Sequence, residues 1–382
     1  MSVVLRRILV SLAALCAVAA GLAAGPSRQN SVTDMLDRYA AGKFAEVLTE
    51  LGALDQDFAS ILNQLREQGP AWIDAGGSAG RDKRRLVAAT FAIEAARVDA
   101  WYEWKWVVVQ PPMCPVQIPG ERATKGDCYR PLNVLQWKAP PLLIEWACEL
   151  LRQDPSPRPI ERWWHMAAVA VAQFSEDTHF LVGDPAIGRG RGAGEIINLQ
   201  DEIKHLDHAK ARFPEEVRLQ LAEGIARDRV WPTDAITAYQ ALADELTVGG
   251  EAMARLAILQ FRLNRSADAL KSLDRADAVT RDPYVLYLSA YVRGRILESQ
   301  KRIDDARTAW ERAVTVWPHG QAATLALASM LFQQGRRAEA QELTGAMLAA
   351  NPLPPDPWRE YVHGDDRLWP QLVGKLRAEI LR

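Results

Sequence analysis

No charge of one sign dominates this sequence. Its 46 Lys and Arg residues are set against 48 Asp and Glu, a net of −2 over 382 residues, with no long run of either sign. A nucleic-acid partner, which would be gripped through a basic patch on phosphates, is therefore not expected. Long apolar runs are also missing. Beyond Ala24 no stretch is apolar enough to span a bilayer. Cysteine is scarce, with 4 residues. Nor is there an alternating strand–helix pattern of the kind a parallel sheet requires. What remains is ordinary globular composition, 48% hydrophobic and 25% charged, in a chain long enough for two domains or one long solenoid.

Met1–Ala24 stands apart. Arg6 and Arg7 precede an apolar run from Ile8 to Ala20, followed by the small residues Gly21, Ala23 and Ala24, and the segment has no acid. These features predict a secretory signal peptide cleaved near Ala23 or Ala24, and an exported protein, periplasmic or secreted. The alternative is an uncleaved anchor, since Ile8–Ala24 is just long enough, at the lower edge for a membrane helix. In that case the protein would be a membrane-tethered assembly factor; otherwise no membrane contact is expected. Removal of the leader leaves Cys114, Cys128 and Cys148. An odd count in an oxidising compartment leaves at least one unpaired or paired between chains. Cys114 and Cys128 share a proline-rich loop and are the expected disulfide. Cys148, in the apolar segment 141–153, is expected to pack as a small buried residue.

Residues 27–214 read as helices interrupted twice. Helices are predicted over 33–41 and 44–54, broken at Gly42, and over 57–68, stopped by Gly69 and Pro70. A long helix is predicted from Arg81 to about Trp104, with Ala88, Ala89, Ala92, Ala95 and Ala96 forming a small-residue face. Residues 107–140 hold six prolines, Pro111, Pro112, Pro115, Pro119, Pro131 and Pro140, and form the first irregular insertion. Helices are predicted again over 141–153 and 159–173. The second insertion covers 175–193, and a further helix covers 198–213.

From residue 215 the pattern becomes regular. Ala235, Ala269, Ala306 and Ala340 recur at a nearly constant interval, about 34 residues, and Pro318 and Pro352 keep the same period. Tyr239, Leu273, Trp310 and Thr344 each follow one helical turn after the alanines. Gly294, Ala257 and Ala328 supply small residues on the preceding helices. A small residue lets two helices approach closely, a bulky one fills the adjoining gap, and proline ends the unit. Over 215–352 this pattern resembles the tetratricopeptide repeat family, and over 31–214 only faintly. The match is imperfect: Glu223 stands where the first unit needs a small residue, with Gly224 one place late, and Arg293, Thr344 and Met347 also depart from the pattern. The resemblance implies an all-α, right-handed superhelical solenoid of antiparallel helix pairs, with residues 353–382 as C-terminal capping helices. It also implies a concave surface lined by first helices, on which Gln220, Arg227, Asp228, Glu251, Arg262, Tyr291, Arg295, Glu298, Phe332 and Gln333 would fall. Their mix of charge and aromatic rings suits a protein or peptide partner. The bland alternative is a face merely solvated, or filled by the N-terminal half.

Candidate chemistry is sparse. Gly76–Gly80 fits G-x-S-x-G, but no strand precedes it and no alternating strand–helix pattern follows, so a flexible turn before a helix is expected rather than a nucleophile elbow. Glu202, His205 and His208 lie at i, i+3 and i+6 of a predicted helix. A carboxylate-bridged metal site needs a second Glu-x-x-His, which the sequence lacks, so these residues are expected on a solvated face and no metal or cofactor is assigned. Eight of the 13 tryptophans fall between Trp72 and Trp164. Trp101, Trp104 and Trp106 are the candidate ligand cluster of an alternative function, a glycan- or peptide-binding or enzymatic module within residues 27–214; packing in a core is the competing role. The expected function is a non-catalytic exported scaffold.

Overall fold

The computed structural model describes residues 31–53, 58–109, 139–153, 158–181, 205–228, 231–350, 355–363 and 367–382. Among them every regular element is a helix and no strand occurs. The N-terminal half contains α1 (Val32–Ala40), α2 (Phe44–Ala53), α3 (Phe58–Asp74), α4 (Gly77–Val109), α5 (Ala139–Arg152), α6 (Glu161–Leu181) and α7, the helical residues 205–212. The repeats are α8 (Val217–Asp228) with α9 (Pro232–Ala241), α10 (Gly249–Arg262) with α11 (Ser266–Val279), α12 (Pro283–Ser299) with α13 (Ile303–Val316), and α14 (Gln321–Gln333) with α15 (Arg337–Ala349). The chain ends in α16 (Pro357–His363) and α17 (Trp369–Leu381).

The pairing of helices follows from small residues set against large ones. An added Cβ at Gly294 would meet Trp310 Nε1 at 2.3 Å, so α12 and α13 touch at a point only glycine permits. The Trp310 indole donates to the Tyr291 carbonyl at 3.2 Å and closes the contact. In the first unit the same job falls to Gly224, whose Cβ would meet Tyr239 at 2.6 Å, while Glu223 faces Lys210 and Arg227. The unit is thus shifted by one position from the spacing that made Glu223 look like a departure. Ala235, Ala269, Ala306 and Ala340 are all buried, as are Ala257 and Ala328.

The turns within pairs repeat as well. Asn264, Lys301 and Gly335 all have φ between 61° and 81°. After each, the next amide reaches back over the turn: Arg265 to Gln260, Arg302 to Leu297 and Arg336 to Leu331, all carbonyl acceptors at 2.8–2.9 Å. This is the left-handed helix stop that satisfies orphan carbonyls. Gly42, with φ 86°, makes the same turn between α1 and α2, where Lys43 donates to the Arg38 carbonyl. The two helices predicted to break at Gly42 are thus a pair with the same turn as the repeats.

Several expectations change. α3 runs through Gly69 and Pro70 to Asp74, because burial of Trp72 and Ile73 holds the last turn in place. α6 extends to Leu181, inside the predicted second insertion. The proposed Cys114–Cys128 pairing, most of the 107–140 insertion and the Met1–Ala24 leader lie outside the described residues. No helix among the described residues is long and apolar enough to cross a membrane.

Two apolar cores result. One joins α1–α7 and takes Leu219, Ala222 and Ala226 from α8; the other runs along the repeats from Leu221 to Ala340. The last helix was expected to cap the solenoid. Instead α17 buries Leu372, Leu376 and Ile380 in the first core, against α4 and α6, so the chain turns back from the end of the array to its beginning.

Replacing Gly294 with Ala should destabilise the protein by about 1–3 kcal/mol through overpacking against Trp310. Gly345→Ala, in α15 with nothing within 4 Å of the new methyl, should gain up to about 1 kcal/mol of helix propensity. Urea unfolding of both variants checks the pair.

Candidate functional site

The first helices α8, α10, α12 and α14 carry the residues expected to line a concave surface. Three of them are buried: Asp228, Glu251 and Tyr291. The cover is the chain's own residues 355–363 together with Arg367, neither solvent nor the N-terminal half. Asp356 is buried and accepts from the Tyr287 hydroxyl at 3.2 Å and from the Trp358 amide at 2.8 Å. It also accepts from the amide of Ala322 in the first turn of α14, where negative charge is favoured. The Trp358 ring lies 5.0 Å from Tyr291 and stacks on Tyr361 at 5.2 Å.

Tyr361 reaches the other buried acid of the face. Asp228 accepts from Tyr361 at 3.4 Å, from Tyr239 at 3.3 Å and from Arg262 at 2.8 Å. Burial, and then the charge of Asp228, push the Tyr361 hydroxyl above its ordinary range. Arg367 lies over the Tyr284 ring at 3.3 Å and pairs with Glu251 at 3.1 Å and Asp282 at 3.4 Å. Glu251 is also paired with Arg255 on its own helix at 2.9 Å. Burial alone would raise the Glu251 carboxyl, but the two guanidiniums overcome it and hold it at about 2.

The other candidates are scattered. Gln220 donates to the Pro214 carbonyl, and Arg227 pairs with Glu223 and Asp234. Arg295 is exposed and 3.5 Å from the Tyr291 hydroxyl, and Glu298 is half-buried. Phe332 is 56% exposed and Gln333 is exposed. Leu325, 52% exposed, lies one repeat beyond Tyr291, as Phe332 lies one repeat beyond Glu298. The open part of the first-helix face is therefore at its far end. The sequence reading missed Asp356, Trp358, Tyr361 and Arg367. Their signal was an acid, two aromatic rings and an arginine in a segment that a mere cap would fill with aliphatic residues.

A second cluster lies within the N-terminal core. Cys148 on α5, His165 on α6 and His205 on α7 are all buried, and a ligand atom from each lies within 4.8 Å of the others. His208, one turn on from His205, brings its ring 6.0 Å from His165. The expectation of a solvated face for His205 is thus overturned, because α7 turns that face into the core; Glu202 lies outside the described residues. Among the described residues, neither ring nitrogen of His165 or His205 makes a hydrogen bond of good geometry, nor does Nε2 of His208. Each orphaned polar group of this kind costs about 1–3 kcal/mol. Trp164 and Phe213 close the cluster with rings 5.2 and 5.8 Å from His165. Burial, then the proximity of the other imidazoles, holds His165 well below its ordinary value and His205 at about 4. Burial also lowers His208 to about 4, and it pushes the Cys148 thiol up to about 11 against the pull of Arg152.

The Gly76–Gly80 motif does not have the surroundings of a nucleophile elbow. Ser78 of the Gly76–Gly80 motif is exposed in the first turn of α4, and helix α3 precedes it where a nucleophile elbow needs a strand. Trp101, Trp104 and Trp106 lie on α4, their side chains outside the described residues. Trp72 and Trp164 are buried; Trp72 donates to Asp37 at 2.8 Å. Trp146 lines a shallow cleft with Pro70, Arg85 and Glu149.

The Glu251 contacts carry a pH dependence. Its carboxyl is lower in the folded state than its ordinary 4.5, so its contribution to stability is complete above about pH 4.5 and is lost as pH falls toward about 2. The difference in unfolding free energy between the wild type and Glu251→Gln should therefore shrink steadily over that window. Urea titrations at several pH values measure it, and a constant difference would show that the pairs with Arg255 and Arg367 contribute little.

A family model described as tetratricopeptide repeat matches residues 291–352. No curated protein matches the chain. Among solved structures, one entitled "Crystal structure of MamA" is 22% identical with a TM-score of 0.34, covering 42% of this chain and 92% of its own. A second, "Crystal structure of MamA protein", is 20% identical with a TM-score of 0.32, covering 47% and 90%. The family match runs from within α12 through α15, where the Gly294–Trp310 contact and the left-handed turns at Lys301 and Gly335 are found, and the chain is a tetratricopeptide-like helical repeat protein.

Proposed function

We propose that the chain is a non-catalytic scaffold that takes up a protein or peptide segment along the first-helix face of its repeats. The observation that supports this most is that the face already holds part of the chain itself, residues 355–363 and Arg367, by ring stacking and by arginine–carboxylate pairs. Leu325, Phe332 and Arg295 extend the same face without cover from that segment, and apolar side chains flanked by a cation suit a short amphipathic ligand. A charge reversal at Arg262 would be a poor test, because it would set an acid beside buried Asp228. The variant Leu325→Glu/Phe332→Glu changes only exposed positions. Peptides selected against the full chain from a display library should bind it at least about 10-fold more weakly, a typical effect of losing anchor side chains. Equal affinity would place their site elsewhere.

Export belongs to the same proposal. Met1–Ala24 has the charge, apolar run and small residues that a secretory leader requires. N-terminal sequencing of the protein from its native host should begin just after Ala23 or Ala24. A chain beginning at Met1 or Ser2 would instead support the membrane-tethered alternative.

A further inference from the structure

The Cys148, His165 and His205 cluster has no part in the repeat face, and packing alone does not account for it. A core histidine ordinarily spends its nitrogens on hydrogen bonds. Here, among the described residues, both nitrogens of two buried rings lack a hydrogen bond of good geometry, and the rings converge on a buried thiol. Three different helices supply the three ligands, and α6 and α7 are joined through residues 182–204. A thiolate and two imidazoles form the donor set of borderline and soft metals, zinc foremost.

We infer that Cys148, His165 and His205 bind one zinc-class divalent ion, with His208 or a water in the fourth position. Bonds of about 2.3 Å to sulfur and about 2.0–2.1 Å to nitrogen would place tetrahedral donors about 3.3–3.6 Å apart. From separations within 4.8 Å this is a contraction of at most about 1.2–1.5 Å, on the scale of ring and thiol rotations. The ion displaces the thiol proton and takes one orphaned nitrogen from each ring. The thiolate offsets half of the ion's charge, nearby Arg212 is held at 2.8 Å by the buried Glu161, and Arg152 would give up its contact with the sulfur to the ion. Trp164 and Phe213 supply an apolar wall that keeps competing water away. Such an ion would staple α5, α6 and α7 together.

Cobalt(II) makes the coordination visible. Full-length protein, stripped with a chelator and titrated with cobalt, should develop the intense visible bands of a tetrahedral ion and a near-ultraviolet thiolate charge-transfer band. Both should saturate at one equivalent and disappear when zinc is added. Cys148→Ser should abolish the charge-transfer band. His205→Gln, which keeps every thiol, should shift the visible bands, and each change should weaken zinc binding by at least about 100-fold. Circular dichroism of each variant verifies that it is folded. A weak octahedral spectrum in the wild type would overturn the site, whatever the variants do. So would a charge-transfer band that survives Cys148→Ser, which would assign the ion to other cysteines, or a spectrum that His205→Gln leaves unchanged.

Discussion

Glu94 and Glu251 sit where a lone carboxylate is not stable. Glu94 is 2% exposed within the N-terminal core and Glu251 is 7% exposed within the repeats. Each is held by an arginine from the end of the chain, Glu94 by Arg377 and Glu251 by Arg367. Tyr39 donates to Glu94 at 2.6 Å, and Arg255 shares Glu251 at 2.9 Å. Removing one partner from a buried pair costs several kcal/mol, roughly 3–5, because the other charge is left without compensation. The C-terminal segment is therefore a requirement of both halves. It supplies Arg377 to Glu94 and, beside Arg255, Arg367 to Glu251, and in doing so it ties the end of the array to its start.

That tie changes what a repeat array of this type can offer a partner. An open solenoid presents one continuous concave surface. Here the central stretch of that surface is occupied by Asp356, Trp358, Tyr361 and Arg367, and Leu325 and Phe332 at the far end remain open. The occupied part also illustrates the chemistry that the face accepts: an acid at the first turn of α14, rings against Tyr291, and a guanidinium over Tyr284 beside Glu251.

The repeat half was legible because its rules are local. A regular spacing of alanines, a glycine opposite a tryptophan and a proline stop are all visible in one dimension, and they point to the helix pairs. The shift by one position at Gly224 was also written there, but only the contact with Tyr239 reveals which of Glu223 and Gly224 faces inward. The site residues were less legible. Asp228, Glu251 and Tyr291 lie on the expected helices, but whether they face solvent depends on a segment far along the chain that resembled a cap. His205 shows the same limit. Its Lys- and Asp-rich neighbourhood resembled a surface, yet Leu206 and Ala209 on the same short helix are buried, and the turn that carries them inward brings His205 to His165. Helical spacing reports which residues share a face, and only the tertiary contacts report what that face meets.

Hydrogen–deuterium exchange tests the role of the C-terminal segment most directly. If the segment ties the two halves together, amides in residues 357–363 and 369–381 exchange as slowly as those of α12, and all three become unprotected together as denaturant is added. Rapid exchange of the chain from Pro355 onward, beside a protected α12, would contradict the account, since Glu94 and Glu251 would then be stable without the cations assigned to them.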